Sequence, residues 1–199
     1  MAIEPDMTSG PGQERAAAFL QSCVDQMDTS RQWFMKHILP LSPDQLRWRP
    51  QTGCWSIGEC LDHLSLTLAH YLPKIEQSVG EHSRAGQNHG ALLPFPESER
   101  EYLRHLEPPV SRQATAPLAL QPTAAVDPDR IVDEFTDLRE RYARIGRLAS
   151  GVDLAGIRIR GSLHLPVESV GGVLALLAAH DRRHIWQVDR VRSRRGFPV

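Results

Sequence analysis

The sequence predicts an all-α fold, a four-helix bundle, from three observations. Four segments carry apolar residues at helical spacing. Nothing alternates long enough to be a strand. A long proline-rich connection, from about Gly80 to Asp127, separates the second helix from the third. That is where a parallel pair of helices needs a crossover. At 199 residues, one domain with a sizeable core is the expectation: residues 13–199, after an arm at 1–12 rich in Pro, Gly, Ser and Thr.

The first helix should run from about Gln13 to Ile38, with Phe19, Leu20, Cys23, Val24, Met27, Phe34, Met35 and Ile38 inward, and Pro40 ending it. Ser42 and Pro43 then read as the cap and first position of a short helical turn. Pro50 and Gly53 break that turn.

Trp55-Ser56-Ile57-Gly58-Glu59 opens the second long helix. Ser56 and Glu59 have capping-box spacing. Ile57, Leu61, Leu64, Leu68 and Leu72 form one stripe. Cys60, His63, Thr67 and His70 form another, roughly 100° round the helix. A polar stripe beside a core stripe can line a site. Pro73 is expected to kink or stop this helix.

Within the long connection, Glu97 to Leu106 suits a short helix, and Ala114 to Thr123 looks extended and able to lie across the bundle. Such connections are uncommon unless functional or crossing over. Asp127-Pro128 begins the third helix, which runs to about Ala149 with Ile131, Val132, Phe135, Leu138, Tyr142, Ile145 and Leu148 inward. Gly151 stops it. Ile157-Arg158-Ile159 alternates but is too short for a strand. The last helix should span about Val167 to Arg194.

A formal charge of −1 offers no bulk basic field for nucleic acid. The N-terminus lacks the basic start and apolar run of a signal peptide. No apolar run approaches the roughly 20 residues that cross a bilayer. Three cysteines, Cys23, Cys54 and Cys60, without a close CxxC pair, suit a reducing compartment. A cytoplasmic protein is the expectation, with no nucleic-acid or membrane partner.

His180 and His184 lie four apart in the apolar last helix, so they share one face a turn apart. Both can reach one ion. His63, on the polar stripe of the second helix, is the best third ligand. Three imidazoles suit Zn, Ni, Fe or Mn, with open positions for water or substrate. The motif is not HExxH: Asp181 follows the first histidine, and a thermolysin-type protease would lack its base.

Other groups near these three have competing readings. Glu59 can act as a base, but capping already explains it. Asp62 and Asp181 either face solvent or orient imidazoles. Gln187 aims at a metal-bound water or packs the helix. His70 shares the stripe of His63 as a pocket-lining residue rather than a ligand. His164 lies in the loop before the last helix, near the mouth of such a site or simply solvated. Trp55 and Trp186 pack nearby. Cys54 and Cys60 are small residues rather than ligands. The arginines from Arg182 to Arg195 suit a helix C-terminus. They also offer a site for the carboxylates of an acidic thiol.

Trp55-Ser56-Ile57-Gly58-Glu59-Cys60-Leu61-Asp62-His63-Leu64, His180-Asp181-Arg182-Arg183-His184-Ile185-Trp186-Gln187 and Leu46-Arg47-Trp48-Arg49-Pro50 together resemble the motifs of the DinB-like family. The resemblance implies an up-down-down-up four-helix bundle, usually a homodimer, holding a divalent metal through His63, His180 and His184. It also implies a small-molecule substrate. Relatives of that kind include bacillithiol-dependent S-transferases and mycothiol-dependent maleylpyruvate isomerases. The expected activity is activation of a low-molecular-weight thiol, or of water, at an open three-histidine site. The alternatives are a non-catalytic metal- or ligand-binding stress protein and a structural dimer that holds no metal.

Overall fold

The computed structural model describes residues 11–84, 95–110, 115–123, 127–160, 163 and 165–198. Among them are six α helices and no strand: α1 Pro11–His37, α2 Pro43–Arg47, α3 Ile57–Arg84, α4 Glu97–Arg104, α5 Pro128–Leu148 and α6 Val170–Arg192. The fold is all-α. Expectations for residues 1–10, Ala114 and His164 fall outside the described residues.

Local chemistry sets most boundaries. Ser42 and Gln45 form a reciprocal capping box at α2, with Pro43 in the first turn. Ser56 and Glu59 do the same at α3: Ser56 N–H donates to Glu59 Oε2 at 2.8 Å and Glu59 N–H to Ser56 Oγ at 3.2 Å. Gly151, at φ +93°, follows α5 in the left-handed conformation glycine adopts cheaply. Arg158 makes one isolated antiparallel bridge to Ser169 and no strand.

Several expectations are corrected. α1 begins at Pro11, inside the expected arm, and α6 begins at Val170 rather than Val167. Met35 and Leu148, expected inward, are exposed. Both lie in the last turns of their helices and point to solvent, while Phe34, Ile38, Ile145 and Ala149 around them stay buried. Pro73 does not stop α3, which continues to Arg84. Pro73 and Ala69, whose carbonyl loses its donor, both lie on the exposed side, where water can serve that carbonyl. Beyond the proline, Ile75 and Val79 stay buried and continue the stripe of Leu68 and Leu72. Burial on the far face outweighs one missing hydrogen bond.

α1 and α3 each pack against both α5 and α6. One core cluster, centred on Met27, Leu68, Tyr71, Tyr142 and Leu174, fills one part of the space between them. A second joins Phe34, Ile57, Leu61, Ile131, Phe135 and Val188. In it Phe34 stacks on Phe135 at 4.1 Å between centroids.

Two polar connections fix the helices that carry the histidines. Glu99 of α4 is buried at the head of α6 and accepts from the N–H groups of Glu168 and Ser169, both at 3.0 Å, and from Ser169 Oγ at 2.5 Å. A carboxylate there meets the positive end of the helix dipole. Ser169 in turn caps Gly172 N–H. Segment 115–123 crosses onto α3, and the 3-10 turn Leu118–Leu120 buries Leu120. Thr123 donates to Asp62 through N–H at 2.7 Å and Oγ1 at 3.0 Å.

Candidate metal centre

The three histidines singled out by spacing meet. His63 comes from α3; His180 and His184 come from successive turns of α6. His180 Nε2 lies 3.1 Å from His63 Nε2 and 3.1 Å from His184 Nε2. One candidate ligand atom from each ring lies within 4.8 Å of the others. Ligand nitrogens about 2.0–2.1 Å from a common ion stand roughly 3 Å apart, so this spacing fits one.

His63 has its tautomer set from outside the cluster. Its Nδ1–H donates to the Leu120 carbonyl at 2.6 Å, leaving a lone pair on Nε2. Burial lowers its pKa, offset by the Leu120 carbonyl and Asp62. His184 is pushed down to about 3, first by burial and then by the charges of His63 and Arg183. His180 is likewise pushed well down, first by burial and then by the charges of His184, His63, Arg183 and Arg139. Its ring keeps some solvent contact, while the protein around it removes most of its hydration. The rings are therefore neutral at physiological pH, the form that ligates metal.

Protons alone satisfy this geometry badly. His180 Nε2 faces two other Nε2 atoms, and a single proton serves one such contact. The remaining contact sets lone pair against lone pair. A cation relieves both at once, and the cluster can hold one.

The nearby carboxylates are committed elsewhere. Asp181, expected in solvent or orienting an imidazole, is 1% exposed and pairs with the equally buried Arg139 of α5. Arg139 Nε–H donates to Asp181 Oδ2 at 3.2 Å and Nη1–H to the Phe135 carbonyl at 2.9 Å. Asp62 is likewise buried and takes Thr123 and Arg130 rather than an imidazole. Glu59 caps α3 and accepts from Arg49. Sequence reasoning missed Arg139, the Leu120 carbonyl and Glu99. Arg139 was legible as a charge on the apolar stripe of Phe135 and Tyr142. A backbone carbonyl leaves no such signal.

The cluster opens on a cleft of about 1050 Å³. Trp55 lies beside it, its ring 4.9 Å from His63 and nearly parallel to His184 at 6.0 Å. Trp186, Gln187 and Cys54 also line the cleft. His70 does not line it; its Nε2 lies 2.6 Å from Lys74 Nζ, away from the cleft. Cys60 is fully buried and its thiol pKa is pushed far up by burial, so it is no thiolate ligand.

Among known families, the one described as the DinB superfamily matches residues 26–188, most of the chain and all three histidines. No curated protein and no solved structure matches.

Proposed function

The chain belongs to the DinB superfamily, and from that premise we propose that it is a metalloenzyme that activates a low-molecular-weight thiol for transfer to a small electrophile. His63, His180 and His184 would hold the divalent ion, Zn, Ni, Fe or Mn. The ring of α1, α5, α3 and α6 is read as an up-down-down-up four-helix bundle of one domain, residues 13–199, working as a cytoplasmic homodimer.

A divalent ion bound there supplies Lewis-acid chemistry, lowering the pKa of a thiol or water in its open position. The convergence of three neutral imidazoles on the cleft is the observation that carries this reading. His63, fixed by the Leu120 carbonyl, presents Nε2 inward. Trp55 shields the site from bulk water on one side.

Thiol transfer is favoured over hydrolysis by what lines the cleft. Among the described lining residues there is no Asp or Glu. Water attack benefits from a positioned base. A thiol already held as thiolate needs none. The second reading is a non-catalytic metal- or ligand-binding stress protein. It is supported by the same absence of a carboxylate among the described lining residues.

The test begins with metal analysis. Protein expressed with metal supplied should carry close to one divalent ion per chain and lose it in His184→Ala. Metal-free protein, with folding unchanged in the triple alanine variant, would sink the site. A panel of low-molecular-weight thiols with electrophiles then separates the two readings. Turnover lost in His63→Ala supports the enzyme. Metal binding without turnover of any thiol or ester supports the binder.

A further inference from the structure

Two tyrosines are enclosed in the bundle, and they differ in one respect. The hydroxyl of Tyr142 donates to the Leu174 carbonyl at 2.8 Å. Tyr71 is 1% exposed, and among the described residues nothing accepts the proton of its hydroxyl. A buried donor without an acceptor is costly and calls for an explanation. Ser65 Oγ is also unpartnered but does not line the cleft. Tyr71 does.

Its place in the cleft follows from its helix. His63, Thr67 and Tyr71 stand at four-residue steps on α3, and all three border the cleft. The Cα of Tyr71 is eight residues past that of His63, roughly 12 Å along the axis at 1.5 Å per residue. That is the span of a small molecule. The ring itself is held. It belongs to the core cluster of Met27, Leu68, Tyr142 and Leu174. The His70 ring meets it edge-on at 4.9 Å between centroids, and Lys74 Nζ lies 5.8 Å from its centroid.

Its neighbours mark where the hydroxyl end lies. Burial raises the pKa of the phenol most, the Leu163 main chain lowers it, and Tyr102 raises it again. A main-chain group that lowers a phenol's pKa acts as a donor to the oxygen, through its N–H. The phenol's own proton is left without a partner. Around that end the cleft is walled by Tyr102, Leu106, Leu165 and Leu176. No Asp or Glu lines the cleft among the described residues, so no carboxylate competes for the proton. In apolar surroundings the fitting partner is an acceptor oxygen that brings no donor of its own. A carbonyl is such a group.

We infer that Tyr71 is a substrate-binding residue, whose hydroxyl donates to the carbonyl oxygen of a small, largely apolar molecule lodged against Tyr102, Leu106, Leu165 and Leu176. The inference deepens the proposed function by giving the class of its electrophile, a carbonyl compound. It rests on that reading only for the occupant's role as electrophile, and not for the hydrogen bond.

The experiment uses the full chain without metal, titrated with acetophenone or with ethylbenzene, which keeps the shape and lacks the oxygen. Binding is read by calorimetry, and the infrared carbonyl stretch of bound, isotope-labelled acetophenone reports the hydrogen bond. Acetophenone should bind at least tenfold more tightly, with its stretch moved to lower wavenumber than in hexane. Tyr71→Phe should abolish both the preference and the stretch shift while leaving Tm equal or higher, since no acceptor loses a donor. Tyr142→Phe is the control: Tm should fall by roughly 2–4 °C as the bond to Leu174 is lost, with the ketone preference kept. Equal binding of the two probes, binding of neither, or a preference that survives Tyr71→Phe overturns the inference while the metal site stands. A fall in Tm for Tyr71→Phe as large as for Tyr142→Phe overturns it too, because the hydroxyl would then be structural. A ketone preference that depends on Tyr71 in a chain that fails to bind any metal supports the subsite and refutes only the enzyme reading.

Discussion

Replacing Asp181 with Ala should be among the most destabilising single changes in this chain, although the residue lies between two of the three clustered histidines. It would leave the guanidinium of Arg139, 2% exposed, with one hydrogen bond, to the Phe135 carbonyl. The Phe135 ring, 3.1 Å from the guanidinium carbon, offers its face but no acceptor oxygen. The Nε and Nη2 donors lose their only partner. Removing one member of a buried ion pair costs about 3–5 kcal/mol. Against a total stability of about 5–15 kcal/mol, that is a large share. For a chain of this size it corresponds to a fall of roughly 6–20 °C in Tm. Urea unfolding of metal-free protein is the assay, because bound metal would add its own stabilisation. Arg139→Met with Asp181→Leu should recover most of the loss, since an apolar pair leaves no buried charge. A loss under about 1 kcal/mol in Asp181→Ala, or a double variant as unstable as the single, would refute the reasoning.

Two further predictions follow from the same packing. The metal-free protein should lose stability on acidification. His184 titrates at about 3 when folded and near 6.5 when unfolded, and His63 and His180 shift in the same direction. Below about pH 6.5 the unfolded chain binds protons that the folded chain refuses. Stability is thus full above that pH and falls toward pH 3, by up to about 1.4 kcal/mol per pH unit for each histidine. Urea midpoints at pH 7.5, 6 and 5 measure this, and a slope unchanged when all three histidines become Gln would count against it. Gly172→Ala should destabilise by about 1–3 kcal/mol, because an added Cβ would overlap the Glu99 carboxylate and crowd Ser169 Oγ. At an open helical site the same change would gain nearly 1 kcal/mol, so the sign of the change in thermal unfolding decides the matter.

The sequence made the helices legible where periodicity and caps coincide. Ser56 and Glu59 mark the start of α3, and Gly151 marks the end of α5, because both signals depend on residues close in sequence. That α3 runs on past Pro73 instead of stopping there depends on which side of the helix meets water, a tertiary fact. The three histidines were legible together because two share a helix face and the third stands on a polar stripe. Their fit around a common point needed the packing of α3 on α6. Asp62 and Asp181 were misplaced for the converse reason. Each sits next to a histidine in sequence, yet neighbours in a helix point about 100° apart, and these carboxylates face other elements. The contribution of segment 115–123 to His63 runs through a main-chain oxygen, which no residue type announces.

The pair of Asp181 and Arg139 has a further consequence for the motif it interrupts. His180 and His184 look into the cleft while Asp181, between them, is anchored to Arg139 of α5 on an adjoining face of the helix. The rotation of α6 about its own axis is thereby fixed without any ion present. The Leu120 carbonyl aligns the third imidazole in the same way from the other side. The three imidazoles are preorganised: an ion binding among them would find its donors already aimed and would spend little of its binding energy on ordering the chain. If the site holds an ion as proposed, chelation should remove it and leave the helices standing, unlike the small domains whose folding depends on their zinc.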